Sequence, residues 1–250
     1  MQQDDLWIVR HRPYSLARFR IFCFPLAGGN ASAFQSWPDS FPEDIEICAI
    51  QFPGRQHRSG EPPYRRMPLL IHALEKAICP YLDVPFAIFG ACTGSLAGYE
   101  LAQRLQRTIS MQPVHLFASC CRAPHMPDRD KPIHGLPEDA LWAELDRLGG
   151  TPPIVLGNPE LKTMLSPVLR ADFELAETYH YRSAPPLSCP LTVFGGLEDE
   201  IINRDELEGW RQHTTGPFAV KMVEGGHYLL NSETDELAQA LNAAFELRAL

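Results

Sequence analysis

The sequence predicts an α/β protein with a mainly parallel central sheet flanked by helices. Three observations carry that reading: short apolar runs, amphipathic segments between them, and one long stretch without strand character. The runs are Arg20–Phe24, Ile45–Gln51, Phe86–Phe89, Val114–Ala118, Leu191–Phe194 and Ala219–Val223. They are rich in β-branched and aromatic residues and nearly continuous in apolar character, as strands covered on both faces must be.

Between the strands the period changes. Leu70, Leu74 and Ile78 recur at i+4, as do Ala97, Leu101 and Leu105 after Gly94, and Leu237, Leu241 and Phe245 near the end. Each set forms one apolar helix face. Alternating strands and helices predict a doubly wound sheet. The stretch 124–181 interrupts the alternation with short helices separated by Pro and Gly. One begins at Pro137-Glu138-Asp139 and ends at Gly149-Gly150-Thr151-Pro152-Pro153, and another runs from Pro159 through Leu169 toward Tyr179. An insertion of that size between strands would cover the carboxyl edge of the sheet, where ligands bind in such folds. Residues 1–250 are thus expected to form one domain with a helical lid over 124–181; a fixed packing subdomain is the alternative. Leu141, Trp142, Leu145, Leu161, Met164 and Leu165 are the lid residues expected to line an apolar pocket.

Composition narrows the function. The chain has 250 residues, and 22 Lys+Arg against 31 Asp+Glu give a net charge of −9, which argues against nucleic acid as a partner. No apolar run approaches the roughly 18 residues of a membrane span. The polar start Met1-Gln2-Gln3-Asp4-Asp5 does not resemble a secretory signal. The seven cysteines are odd in number and include no C-x-x-C pair, so no disulfide framework or zinc knuckle is expected and a cytoplasmic setting fits. Most of these thiols read as small buried hydrophobes, Cys92 excepted.

Cys92 lies in Phe89-Gly90-Ala91-Cys92-Thr93-Gly94-Ser95, where an apolar strand runs into Gly-x-Cys-x-Gly and a helix follows at once. Gly-x-Ser-x-Gly in that context makes a nucleophile elbow, with the central residue on a strained turn that leaves no room for side chains at either glycine. Gly98 would let the helix pack close to the sheet. A helix N-terminus at Cys92 also favours negative charge and therefore a thiolate. Two later loops could complete a site. Gly195-Gly196-Leu197-Glu198-Asp199 carries an acid, and Glu224-Gly225-Gly226-His227-Tyr228 carries a histidine. Nucleophile, acid, histidine is the chain order of an α/β-hydrolase triad. His227 is the expected base and Asp199 its orienting acid, with Glu198 and Asp205 as competitors. The N–H of Thr93 is one expected oxyanion donor. The second would come from Ala27 or Leu26 in Phe24-Pro25-Leu26-Ala27-Gly28-Gly29. The other eight histidines have no such setting, and no metal site is expected.

These residues resemble the type II thioesterases that accompany nonribosomal peptide and polyketide synthases. The likeness covers nearly the whole chain: Phe24–Gly29, Gln51-Phe52-Pro53-Gly54-Arg55 with Arg58, the elbow, Gly149–Pro152, Leu169-Arg170-Ala171-Asp172-Phe173 and Gly225–His227. The resemblance implies an α/β-hydrolase fold with a helical lid. It also implies hydrolysis of acyl, aminoacyl or peptidyl thioesters on the phosphopantetheine of a carrier protein, with no cofactor of the enzyme's own. The departure is central: the family usually has Gly-His-Ser-x-Gly, whereas here Ala91 and Cys92 replace the histidine and serine. Thioester exchange through sulfur is nearly isoenergetic, so acyl or aminoacyl transfer between carriers is the alternative to hydrolysis. A non-catalytic carrier-binding protein ranks below both. Arg55, Arg58, Arg65 and Arg66 are the candidate docking patch for the carrier.

Overall fold

Residue alternation within each strand decides which face of the sheet it feeds. In the computed structural model, which describes residues 6–246 apart from 128, 130 and 233, seven strands form one sheet. They are β1 (Ile8–Val9), β2 (Phe19–Phe24), β3 (Ile45–Ile50), β4 (Phe86–Ala91), β5 (His115–Ser119), β6 (Leu191–Gly196) and β7 (Phe218–Val223). Their order across the sheet is β1-β3-β2-β4-β5-β6-β7, all neighbours parallel except β1 with β3. The six apolar runs fall on β2 to β7. The edge strand β1 leaves no mark in the sequence pattern, because two residues are too few to show a period. It pairs Ile8 with Ile50 and Val9 with Ala49.

The helices are α1 (Met67–Ile78), α2 (Thr93–Ile109), α3 (Glu138–Leu148), α4 (Pro153–Leu156), α5 (Pro159–Glu177), α6 (Arg204–Glu208), α7 (Leu229–Ser232) and α8 (Thr234–Glu246). Phe22, Phe24, Ile50, Ile88 and Leu116 face α1 and α2 in one apolar layer. Their neighbours Ile21, Cys23, Ala49, Phe89 and Phe117 face Phe34, Trp37 and Leu237 and Leu241 of α8 in the other. The Phe245 side chain falls outside the described residues.

The chain leaves β2 for β3 on one side and returns to β4 on the other, so the carboxyl ends of β2 and β4 diverge. That crevice is where open α/β sheets bind ligands. Register brings Phe24 of β2 beside Gly90 of β4, and Ala91 beside Ser119 of β5. Over this edge lie α3, α4 and α5, all between β5 and β6. They hold a small core of their own from Ile133, Leu141, Trp142 and Leu145. Glu138 ties α3 to α5. It accepts from Trp142 Nε1 at 2.9 Å, from Arg170 Nη2 at 2.9 Å and from the Ser166 hydroxyl. These donors, Ser166 foremost, lower its carboxyl to about 2.

Close packing of α2 on the sheet rests on two glycines. A Cβ on Gly98 would sit 2.7 Å from Ile88 Cγ2, and one on Gly94 would sit 2.5 Å from the carbonyl oxygens of both Phe24 and Pro25. A side-chain methyl can yield; two backbone carbonyls cannot. Gly98→Ala is therefore expected to cost about 1–3 kcal/mol of stability from overpacking, less what alanine gains in helix propensity. Gly94→Ala is expected to cost more than Gly98→Ala, and urea unfolding of the two variants would check the order.

Candidate active site

β4 ends at Ala91 and α2 begins at Thr93, so the chain turns from strand to helix at Cys92 alone. Its backbone lies at φ 48, ψ −118, a conformation that costs a non-glycine residue on the order of 1–3 kcal/mol. Fixed partners hold it there. Cys92 N–H donates to the Ser119 carbonyl at 2.9 Å, and Ser95 N–H donates to the Cys92 carbonyl at 2.9 Å. The Ser95 hydroxyl donates to the Gly90 carbonyl at 2.7 Å. A Cβ on Gly90 would stand 2.4 Å from the Gly94 oxygen, so both glycines of the motif are sterically required.

The loops after β6 and β7 touch backbone to backbone. A Cβ on Gly196 would meet the Gly226 oxygen at 2.3 Å, and Glu198 N–H donates to the Gly225 carbonyl at 3.0 Å. This contact sets Asp199 beside His227. Asp199 Oδ2 is 3.0 Å from His227 Nδ1, and His227 Nε2 is 3.3 Å from Cys92 Sγ. Asp199 Oδ1 accepts the backbone N–H groups of Ile201 and Ile202 at 2.8 and 2.9 Å, which aims its other oxygen at the ring. Thiol, imidazole and carboxylate thus form one chain of contacts. Neither competing acid takes part: Glu198 engages the β7 loop through its backbone, and Asp205 sits in the first turn of α6. In this arrangement Nε2 can accept a proton from the thiol while Nδ1–H donates to Asp199.

Thr93, Leu26 and Ala27 border the same cavity as Cys92 and His227. Gly29 N–H donates to the Leu26 carbonyl at 2.9 Å, closing a turn that needs Gly28 at φ +73. The cavity holds about 500 Å³. Its far wall comes from Leu145 and Leu148 of α3, Val155 of α4, and Leu165, Leu169 and Phe173 of α5. Of the six residues expected there, only Leu145 and Leu165 take part. Leu141 and Trp142 turn into the insertion's own core, Met164 is 63% exposed, and Leu161 lies off the wall. The i, i+4 stripe Leu165–Leu169–Phe173 is the sequence signal that marks the wall. Gly150 presses on the Tyr228 ring, where a Cβ would meet Cε1 at 2.4 Å, so the Gly149-Gly150 segment packs beside His227.

The chain matches the family model described as "Thioesterase domain" over residues 19–245. It belongs to the thioesterase family. Gramicidin S biosynthesis protein GrsT of Aneurinibacillus migulanus is 38% identical, over 96% of this chain and 93% of that one. Among solved structures, the RedJ thioesterase from the prodiginine pathway of Streptomyces coelicolor is 36% identical. It covers 91% of this chain and 90% of its own with a TM-score of 0.86. The type II thioesterase BorB from the borrelidin biosynthetic cluster is 31% identical, covering 97% and 99%, at 0.88.

The arginine patch looks different once this thioesterase is folded. Arg55 and Arg58 are only 7% and 4% exposed and are committed to Asp172 and Glu61, so they are not docking cations. A loop sequence alone does not show that its arginines turn inward. Arg65 and Arg66 are exposed, and both bond Glu174, at 2.7 and 2.5 Å. Five of the other six cysteines are buried, while Cys79 is exposed. Cys120, also at positive φ, lies with its sulfur within 4.8 Å of ligand atoms of Asp199 and His227. Burial pushes its thiol up, so it stays protonated. These three are the one cluster of metal-ligating type among the described residues, but Asp199 and His227 already bond each other. No described helix is long and apolar enough to cross a membrane.

Burial opposes charging the His227 ring, but the charges of Cys92 and Asp199 outweigh it and raise the imidazole from 6.5 to about 10. Burial likewise opposes the Asp199 carboxylate, yet His227 and the two backbone donors bring it below its ordinary value. Folding therefore raises the His227 pKa. Its contribution to stability is complete below about 6.5 and is lost as pH climbs through 10. In a ring-proton NMR titration, His227 is expected to keep its imidazolium shift across pH 6 to about 9. Replacing Cys92 by Ala should lower the midpoint, because the sulfur's charge is gone; an unchanged midpoint would contradict this electrostatic account.

Proposed function

We propose that this thioesterase acts on acyl, aminoacyl or peptidyl groups held as thioesters on the phosphopantetheine of a carrier protein, within nonribosomal peptide or polyketide synthesis. Cys92 is its nucleophile, and an acyl-Cys92 thioester is its intermediate. The observation that supports this most directly is the 3.3 Å approach of Cys92 Sγ to His227 Nε2 on the wall of the apolar cavity. The names of the relatives, GrsT of gramicidin S biosynthesis and RedJ of the prodiginine pathway, support the synthase setting.

The sulfur yields its proton to His227 Nε2 and attacks the thioester carbonyl carbon, while Asp199 stabilises the imidazolium. The carbonyl oxygen gains charge and is met by Thr93 N–H and by a second N–H from Ala27 or Leu26. The tetrahedral species collapses by breaking the carbon–sulfur bond to pantetheine, and Nε2 returns the proton to that leaving sulfur. Water, deprotonated by the same imidazole, then attacks the acyl-Cys92 carbonyl; the carbon–sulfur bond to Cys92 breaks, Nε2 returns the proton to Sγ, and the free acid leaves. The apolar wall from α3, α4 and α5 receives the acyl chain, which gives the insertion the role of a lid. The enzyme needs no cofactor of its own, and its mostly buried thiols suit a cytoplasmic setting.

The sulfur at position 92 favours one further reading. An acyl-thioester enzyme lies close in energy to its acyl-carrier substrate, so a second carrier thiol can replace water as acceptor. Supplying a second holo-carrier separates the two: hydrolysis yields free acid, and transfer yields the acylated acceptor.

Intact-mass measurement after mixing with acyl-carrier protein is expected to show the acyl group on the wild type. Cys92→Ala is expected to show no adduct and to lose on the order of 10³-fold or more in kcat. An unchanged turnover in Cys92→Ala would remove the proposal.

A further inference from the structure

The loop after β2 carries the second oxyanion donor in the reading above, yet it is glycine-rich and gains little rigidity from its own sequence. A void of about 20 Å³ lies behind it, bordered by Leu26, Ala27, Thr93, Arg55 and Asp172. Apolar packing behind the loop is therefore incomplete on this side. Polar contacts complete it. Asp172 of α5 accepts the Gly28 N–H at 2.7 Å on Oδ2. The same carboxylate takes both ends of the Arg55 guanidinium, Nη1 on Oδ2 and Nη2 on Oδ1, each at 2.8 Å. Arg55 Nη1 also donates to the Gly29 carbonyl at 2.7 Å. Two neighbouring residues of the loop are thus gripped from opposite polarities, one by its N–H and the next by its C=O. From the same helix, Leu169 closes on Gly28, where a Cβ would meet Leu169 Cδ2 at 2.6 Å.

We propose that Asp172 and Arg55 are positioning residues for the oxyanion hole, so that α5 of the insertion sets the aim of the loop N–H that meets the substrate oxygen. This rests on the assignment of the loop as an oxyanion donor. Neither side chain lines the main cavity, and neither touches the Cys92–His227–Asp199 chain, so their effect reaches the reaction only through the loop. A bidentate fork matters here, because a single charge would fix distance without fixing orientation. The insertion thereby does more than wall the acyl cavity, since α5 also completes the catalytic backbone when seated.

The test separates steps that need an oxyanion hole from one that does not. An alkyl trifluoromethyl ketone adds to a cysteine sulfur as a tetrahedral oxyanion, whereas iodoacetamide alkylates the same sulfur by displacement of iodide without one. In Asp172→Asn, the ketone Ki is expected to rise and kcat for acyl-carrier hydrolysis to fall by about tenfold or more, toward the loss seen when a donor is removed outright. KM and the Cys92 alkylation rate should stay within about twofold of wild type. Arg55→Lys keeps the buried charge but not the fork. It should show the same split more weakly, and it decides the matter if the Asn variant does not fold. A folded variant with unchanged Ki and kcat would overturn the proposal. So would alkylation that falls in step with them, which marks general loosening of the site. A wild type that neither binds the ketone nor alkylates faster at Cys92 than at an exposed cysteine such as Cys79 would instead sink the nucleophile assignment, and the positioning claim with it.

Discussion

Strand-to-helix reversal at a single residue is the constraint on which the rest of this structure depends. Cys92 projects from the sheet only while Gly90 and Gly94 let the two arms of the bend touch, with less than van der Waals room for a methyl at either position. The bend in turn needs its neighbours held in register. Ser119 of β5 accepts its N–H on one side, and the Phe24 and Pro25 carbonyls press against Gly94 on the other. The unfavourable backbone at φ 48 is thereby over-determined by the parallel register of β2, β4 and β5. Its cost of a few kcal/mol is small against the two apolar layers that fix that register.

The same logic of contact at glycine recurs where chain segments distant in sequence must meet. Gly196 admits the β7 loop and so brings Asp199 to His227, and Gly28 admits Leu169 of α5. Each approach is then locked by a polar contact. For the Arg55–Asp172 pair, nearly out of solvent on both sides, loss of one member leaves a buried charge and costs about 3–5 kcal/mol. Such pairs add little net stability over apolar replacements. What they do provide is orientation, and orientation is what a loop proposed to carry a backbone oxyanion donor requires.

How much of this is legible in the sequence follows from how local each signal is. The strands β2 to β7 announce themselves by continuous apolar character, and the bend at Cys92 by its flanking glycines. The loops bearing Asp199 and His227 stand out for the same reason, since glycine next to a strand end marks close backbone approach. Asp199 is preferred over Glu198 and Asp205 from the sequence, but only the Gly196–Gly226 contact shows that it is the acid that reaches His227, and no local pattern shows that contact. Arg55 and Asp172 are 117 residues apart, and a charged residue in a loop or on a helix reads as solvent-facing until folding supplies its partner. The apolar wall of the cavity is half visible. Helical period identifies an apolar face on α5 but not how far along it the cavity extends, because that depends on where α3 lies.

Sulfur at position 92 changes what the surrounding groups must accomplish. The proposed attack by Cys92 leaves its proton on His227, whose ring, raised to about 10, holds it there firmly. In the proposed reaction the demand moves to collapse of the tetrahedral species, where two sulfurs of similar leaving ability compete. Forward collapse is favoured when Nε2 delivers its proton to the pantetheine sulfur and not back to Cys92. Only the position of the substrate relative to the ring can settle that contest. On the proposed mechanism the carbonyl oxygen must therefore be held firmly by Thr93 and by Ala27 or Leu26 while the acyl chain is fixed against α5. The proposed oxyanion loop and acyl wall, both anchored to α5, would meet that demand together, whereas two independent supports would let the reacting carbon rotate between the sulfurs.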